Sequence, residues 1–97
     1  MEHRWDTRFR TPVKITVHTD WGTPLRSLAH NLSRGGVFLE MKEPGNLRQA
    51  VVRVEFNEEQ LSETIPALVL RCTKNAAALM FITHSPQLHS FLNRFVS

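Results

Sequence analysis

Two short polar segments contain the residues that are best suited to bind a ligand. The first, RWDTR at residues 4–8, places two arginines four positions apart. The second, NLSRGG at residues 31–36, lies where one alternating apolar stretch ends and the next begins. A guanidinium group can form paired hydrogen bonds with a phosphate or with the O6/N7 edge of guanine. The pair Arg4 and Arg8 therefore suits an anionic, nucleotide-like ligand.

The second segment combines side-chain hydrogen-bonding groups with glycine. Side chains two apart in a strand share a face, so Asn31 and Ser33 should point one way and Leu32 into the core. Asn and Ser together supply donors and acceptors. Gly35 and Gly36 remove bulk and would let a flat ligand approach the main chain. A β-turn, in which Asn, Ser and Gly are common, explains the same residues without a ligand.

Residues 1–10 are charged and aromatic without a clear period, which predicts an arm. When extended, this arm separates Arg4 from Arg8 by roughly 13 Å at most, and a turn would bring them closer. Trp5 lies between them and could either stack on a guanine or anchor the arm. A solvated charged terminus explains the same composition.

The pattern after residue 11 predicts six strands and a C-terminal helix. Alternating apolar residues place strands at about 13–18, 25–32, from 37 onward, 50–56, 64–72 and 76–82. Ser85 followed by Pro86 is typical of a helix start, and the apolar residues of 86–96 recur at helical spacing. Six short strands with short turns favour an antiparallel barrel or sandwich.

Together the two polar segments resemble the signature of the PilZ family, which is Arg-x-x-x-Arg followed, after the first hairpin, by Asp/Asn-x-Ser-x-x-Gly. The resemblance implies an all-β domain, a six-stranded antiparallel barrel with a C-terminal α-helix. It implies a single domain over residues 1–97, with a flexible ligand-gripping arm (1–10), a barrel (12–82) and a helix (86–96). Two positions depart from the family pattern: His3 where many members have arginine, and Ala76–Ala78 where a glycine is common.

The family resemblance also implies a ligand, the bacterial second messenger cyclic di-GMP. Arg4 and Arg8 would hold its phosphates and guanine edges, Asn31 and Ser33 would meet guanine or phosphate from the barrel, and Gly36 would let the backbone approach. Neighbouring residues that could contribute are Trp5, Arg10, Arg34, Gly35 and His30.

Composition limits the other function classes. The net charge is +3, and nine of the twelve Lys and Arg residues are Arg, which favours a small anionic ligand over a long nucleic-acid track. The single Cys72 excludes an internal disulfide, and neither a signal peptide nor a membrane-spanning stretch is visible, which predicts a cytoplasmic protein. The five histidines have no metal-ligand spacing, so we expect no metal. We also expect no cofactor and no enzymatic activity, because Ser33 lies in no G-x-S-x-G motif and no paired carboxylates suggest acid–base chemistry.

Three functions remain open at this point. The first is a cyclic di-GMP receptor in signal transduction, in which ligand capture orders the arm and alters the surface offered to an unidentified protein partner. The second is a PilZ-like adaptor of the pilus or motility machinery that binds no nucleotide. The third is a small RNA-binding barrel, against which the scarcity of aromatic residues on the strands argues.

Overall fold

The computed structural model describes residues 12–20, 22–41 and 51–96, with only the backbone for residues 95 and 96. Six strands and one helix lie in this part of the chain. The strands are β1 (Val13–His18), β2 (Leu25–Leu32), β3 (Gly36–Glu40), β4 (Val51–Phe56), β5 (Thr64–Cys72) and β6 (Ala76–Phe81), and the helix is α1 (Pro86–Val96).

The strands form a closed barrel in the order β1-β2-β3-β6-β5-β4, and every neighbouring pair is antiparallel. The predicted fold class is therefore confirmed. The third strand begins at Gly36, one residue earlier than expected, and the sixth ends at Phe81.

The barrel interior is built by the alternation that the sequence predicts. In β1, Val13, Ile15 and Val17 are at most 1% exposed, whereas their neighbours in the strand face outward. Each of the other strands contributes buried side chains, and Phe56 and Phe81 pack edge to face with ring centroids 6.0 Å apart. The buried side chains, which alternate with outward-facing ones along the strands, together form one apolar core inside the barrel.

Two strands depart from strict alternation through a shift in pairing register. In β2, Ala29 pairs with Leu39 but Asn31 pairs with Phe38, so His30 is an extra residue. In β5 the register shifts between Val69 and Arg71. Such a bulge changes which face the following side chains occupy. In β2 it keeps Ala29 and Leu32 both buried, and leaves Asn31 half-exposed.

Helix α1 is capped and held against the barrel. The Ser85 hydroxyl accepts a hydrogen bond from the Leu88 amide at 3.0 Å, which satisfies a donor of the first turn. Leu88, Phe91 and Leu92 are at most 5% exposed and join the core. No helix in the described residues is long and apolar enough to cross a membrane.

Candidate ligand-binding site

The second polar segment lies where β2 ends and β3 begins. Asn31 is the penultimate residue of β2, opposite Phe38 of β3, and Gly36 is the first residue of β3. A cavity of about 320 Å³ is lined by Asn31, Ser33, Gly36, Val37 and Phe38. The three predicted residues of this segment are thus brought to one cavity, which we call the motif cavity.

Leu32 lies in the core, as the strand pattern predicts, and is fully buried. Asn31 and Ser33 on either side of it are half-buried and border the cavity. No described residue forms a hydrogen bond with the Asn31 carboxamide. Because that group carries two donors and an acceptor, it can bind the edge of a base or a phosphate oxygen.

Ser33 has local hydrogen bonds that belong to the turn. Its amide donates to the Gly36 carbonyl at 3.0 Å, and its hydroxyl donates to the same oxygen at 3.4 Å. The Gly35 amide donates to the Ser33 hydroxyl at 3.3 Å. The two hydroxyl contacts are long and therefore weak, so a ligand atom can compete for the hydroxyl. The hydrogen bonds fit the β-turn interpretation of Ser33, and its role in ligand binding stays a prediction.

Gly36 has a structural reason to be glycine. It pairs with Met80 of β6, and a Cβ at Gly36 would lie 2.4 Å from the Leu79 carbonyl oxygen. That separation is far below van der Waals contact with a backbone atom that cannot rotate away. Close packing of β3 on β6 therefore requires a glycine here, whether or not a ligand also approaches its backbone.

The first polar segment, with Arg4, Trp5 and Arg8, lies outside the described residues, as does Arg10, so their roles stay predictions. The described chain starts beside the motif cavity, however. Val13, the first residue of β1, pairs with Ala29, two positions before Asn31 on β2. The segment that precedes β1 is thus joined to the barrel at the end that carries the cavity.

The remaining predicted residues have other surroundings. His30 is the extra residue of the bulge, and its Nε2 lies 2.7 Å from Glu40 Oε1. Arg34 and Gly35 are exposed in the turn, and the Gly35 carbonyl accepts a hydrogen bond from the Phe81 amide at 2.9 Å. None of these three is among the described residues that line the motif cavity.

Phe38 is a lining residue that the sequence reasoning did not select. Its side chain is 39% exposed on the outer face of β3, directly opposite Asn31. The signal was present in the run Val37-Phe38-Leu39, because the middle of three apolar residues in a strand must face outward when its neighbours are buried. An exposed aromatic ring beside a carboxamide offers a base both stacking and edge contacts.

A second, larger cavity of about 1010 Å³ lies over β1 and β2. Several polar side chains of this cavity are already hydrogen-bonded. Asn57 donates a hydrogen bond to the Thr16 hydroxyl at 2.7 Å, and Glu40 forms a hydrogen bond with His30. The hydroxyl of Ser27, which also lines this cavity, is buried and has no hydrogen-bond partner in the described part of the chain. Within the described residues, no group of three or more His, Cys, Asp or Glu side chains could hold a metal ion.

The fold and the motif cavity define a small closed β-barrel domain with a cavity at one rim. A family model described as the PilZ domain matches residues 2–97. The chain belongs to the PilZ family, a family of cyclic di-GMP receptors whose domains are regulatory binding modules rather than enzymes. No curated protein sequence matches the chain significantly.

Solved structures with this fold include three PilZ-related chains. The PilZ domain of CeSA from a cellulose-synthesizing bacterium has a TM-score of 0.70 and 19% identity, with 92% of this chain and 93% of that chain covered. The PilZ domain of YcgR from Escherichia coli, solved with c-di-GMP, has a TM-score of 0.70 and 19% identity, with 98% and 89% covered. The Bacillus subtilis inhibitor of motility MotI/DgrA has a TM-score of 0.75 and 17% identity, and this chain covers 50% of it.

Proposed function

We propose that this chain is a cyclic di-GMP receptor domain, in which Arg4 and Arg8 bind the nucleotide together with Asn31, Ser33 and Gly36. The observation that carries the proposal is that the three barrel residues of the motif line one cavity. The similar fold of the YcgR PilZ domain, whose structure contains c-di-GMP, supports the choice of ligand.

The chemistry of the cavity suits one half of such a ligand. The Asn31 carboxamide has no hydrogen-bond partner among the described residues, and Phe38 contributes an exposed aromatic side chain on the neighbouring strand. A volume of about 320 Å³ is at the lower end for a small-molecule pocket, so part of the ligand would remain outside the barrel. The arginines of the first segment would contact that exposed part.

The chain between these arginines and the barrel is long enough for this arrangement. Arg8 is four positions before Pro12 and Arg4 is eight positions before it, which allows a reach of roughly 13 Å and 26 Å in extended chain. The segment leads into Val13, which pairs with Ala29, two positions before Asn31 on β2. Both guanidinium groups can therefore reach the cavity.

We further propose that binding signals by ordering residues 1–10 over the motif cavity. The arm, the nucleotide and the rim at residues 31–36 would then form a surface that a protein partner recognises. Ordering a segment consumes part of the binding free energy, so micromolar affinity, about −8 kcal/mol, is expected. Backbone amide exchange should show new protection in the arm and near Ser33, and little change in α1.

Calorimetric titration tests the proposal, with cyclic di-GMP, GMP and a short RNA compared in parallel. Cyclic di-GMP should bind far more tightly than the other two. Arg4→Ala and Arg8→Ala should each lose about 1.5–3 kcal/mol of charge-assisted bonding. Arg26→Ala is the matched control, because Arg26 is an exposed arginine of β2 that does not line the motif cavity.

The alternatives predict different results. Absence of heat at high cyclic di-GMP excess, with a folded protein, would refute the receptor and favour the adaptor that binds no nucleotide. Tighter binding of RNA than of cyclic di-GMP would favour the RNA-binding barrel. Loss of affinity in Arg26→Ala equal to that in Arg8→Ala would indicate nonspecific attraction of an anion rather than a motif site.

A further inference from the structure

The outer surface of the barrel carries large exposed apolar side chains over the strands that follow the motif cavity, beside the charged residues Glu40, Arg53 and Arg71. Strands β3, β6 and β5 are consecutive in the barrel, and β4 follows them. Large apolar side chains that point outward there are 39–57% exposed. We call this surface the apolar face, and its exposed members are Phe38, Val51, Leu70, Met80 and Ile82.

The pairing register arranges the centre of the apolar face in two rows across the strands. One row runs from Leu68 on β5 through Met80 on β6 to Gly36 on β3. The next runs from Arg71 on β5 through Ala78 on β6 to Phe38 on β3. Strand β6 is therefore the midline of the face. In both rows a residue of β5 lies on one side of it and a residue of β3 of a different type lies on the other.

The two sides of this midline are complementary to each other. In the first row a bulky Leu68 is opposite a Gly36 without a side chain. In the second row a cationic Arg71 is opposite an aromatic Phe38. Arg71 has no ion-pair partner among the described residues, and the two rows contain no carboxylate. Any surface that covers Arg71 must therefore accommodate a guanidinium group, and an aromatic ring does so by cation–π contact.

We propose that the apolar face is the contact surface of a homodimer, with a two-fold axis parallel to β6. This axis places Arg71 of one copy over Phe38 of the other, and Leu68 over the space above Gly36. Ala78 and Met80 lie on the axis and meet their own counterparts, and sheets that pack face to face in this way are about 10 Å apart.

The dimer is weak. The outer surface of a six-stranded barrel is convex, so contact is limited to about three strands and a few hundred Å² on each copy, below the roughly 800 Å² per partner of a standard stable interface. Association is therefore expected only at high protein concentration, with a dissociation constant of roughly 10⁻⁴ M.

The dimer and the motif cavity share two residues, because Gly36 and Phe38 also line the cavity. A second copy would cover the cavity, so nucleotide and partner copy should exclude each other. This competition rests on the proposed function, whereas the dimer itself does not, since it forms without nucleotide.

Sedimentation equilibrium of the nucleotide-free chain tests the dimer at protein concentrations up to roughly 1 mM. Met80→Lys places two cations at the axis and should raise the dimer dissociation constant at least tenfold. Leu28→Lys is the matched control, because Leu28 is 40% exposed, close to the 43% of Met80, but lies on β2. A monomer at every concentration, or equal weakening by both variants, would overturn the dimer.

Cross-linking gives an independent test of the axis. In a Cys72→Ser background, Ala78→Cys should be joined efficiently by a bismaleimide with a spacer of about 10 Å, the distance between packed sheets. Lys14→Cys, on strand β1 opposite β6 in the barrel order, should not. Equal cross-linking of the two variants would exclude this axis.

Titrating cyclic di-GMP into the dimer then separates the two proposals. Conversion to a nucleotide-bound monomer supports the competition, and a dimer that binds nucleotide while remaining associated overturns it. If calorimetry detects no nucleotide binding, the proposed function fails, and the dimer is still decided by Met80→Lys and by cross-linking.

Discussion

Replacing Gly36 with alanine should destabilise the barrel because β3 and β6 are too close to accommodate a side chain at this position. The added Cβ would lie 2.4 Å from the Leu79 carbonyl oxygen and 3.5 Å from the Met80 Cα. Restoring ordinary contact requires the two strands to separate by about 1 Å, and overpacking of this kind costs about 1–3 kcal/mol. For a domain of this size, the melting temperature should fall by roughly 4–20 °C.

The matched control is Gly22→Ala. A Cβ at Gly22 would lie 3.2 Å from the Thr19 hydroxyl oxygen, which is the end of a side chain that can rotate. Its effect should therefore remain within about 0.5 kcal/mol of zero. Urea and thermal unfolding followed by circular dichroism measure both variants. A Gly36→Ala protein that melts within a degree or two of the unsubstituted chain would refute the packing argument.

The same variant separates folding from binding at Gly36. A ligand at one hundred times its dissociation constant stabilises the folded state by about 2.7 kcal/mol. If folded Gly36→Ala keeps the full rise in melting temperature with cyclic di-GMP, Gly36 acts only through strand packing. If the rise disappears while the protein is still folded, the backbone of Gly36 also contacts the nucleotide.

Three further predictions concern single side chains. Ser85→Ala should lower the free energy of unfolding by about 1 kcal/mol, since it removes the acceptor of the Leu88 amide, and Ser85→Thr should restore most of the loss in urea unfolding. Ser27→Ala should raise the free energy of unfolding by up to about 1 kcal/mol, because the Ser27 hydroxyl is buried without a hydrogen-bond partner among the described residues. A lower free energy of unfolding would show that another group forms a hydrogen bond with this hydroxyl. Cyclic di-GMP should change the fluorescence of Trp5 in a Trp21→Phe background, and an unchanged spectrum at saturation would contradict ordering of the arm.

Most of the fold could be predicted from local pattern. The alternation in Val13, Ile15 and Val17 fixes the face that β1 buries, and Ser85 followed by Pro86 fixes the start of α1. The bulges could not be predicted, because an extra residue such as His30 looks like any other strand residue until its partner strand is known. The barrel order has the same limit: the pairing of β3 with β6 and of β1 with β4 joins residues far apart in sequence.

The candidate site was predicted in part. The spacing of Asn31, Ser33 and Gly36 predicts the residues at the rim, because Asn and Ser carry hydrogen-bonding side chains and Gly leaves space beside them. The outward orientation of Phe38 follows from the strand pattern, but its place opposite Asn31 could not be predicted, because it depends on cross-strand pairing, which the bulge at His30 displaces by one residue. Without the bulge, a regular ladder starting from the pair Ala29 and Leu39 would not place Asn31 opposite Phe38.

The three barrel residues of the motif differ in how far the fold alone explains them. The packing of β3 on β6 accounts for glycine at position 36, and the turn accounts for Ser33, whose amide and hydroxyl both bond to the Gly36 carbonyl. Asn31 has no such explanation, since its carboxamide has no hydrogen-bond partner among the described residues and its neighbour Leu32 supplies the core contact. Its donors and acceptor are unused by the described part of the protein, so they are available to the proposed ligand. Asn31 is therefore the residue at which loss of binding and loss of stability can be separated most cleanly.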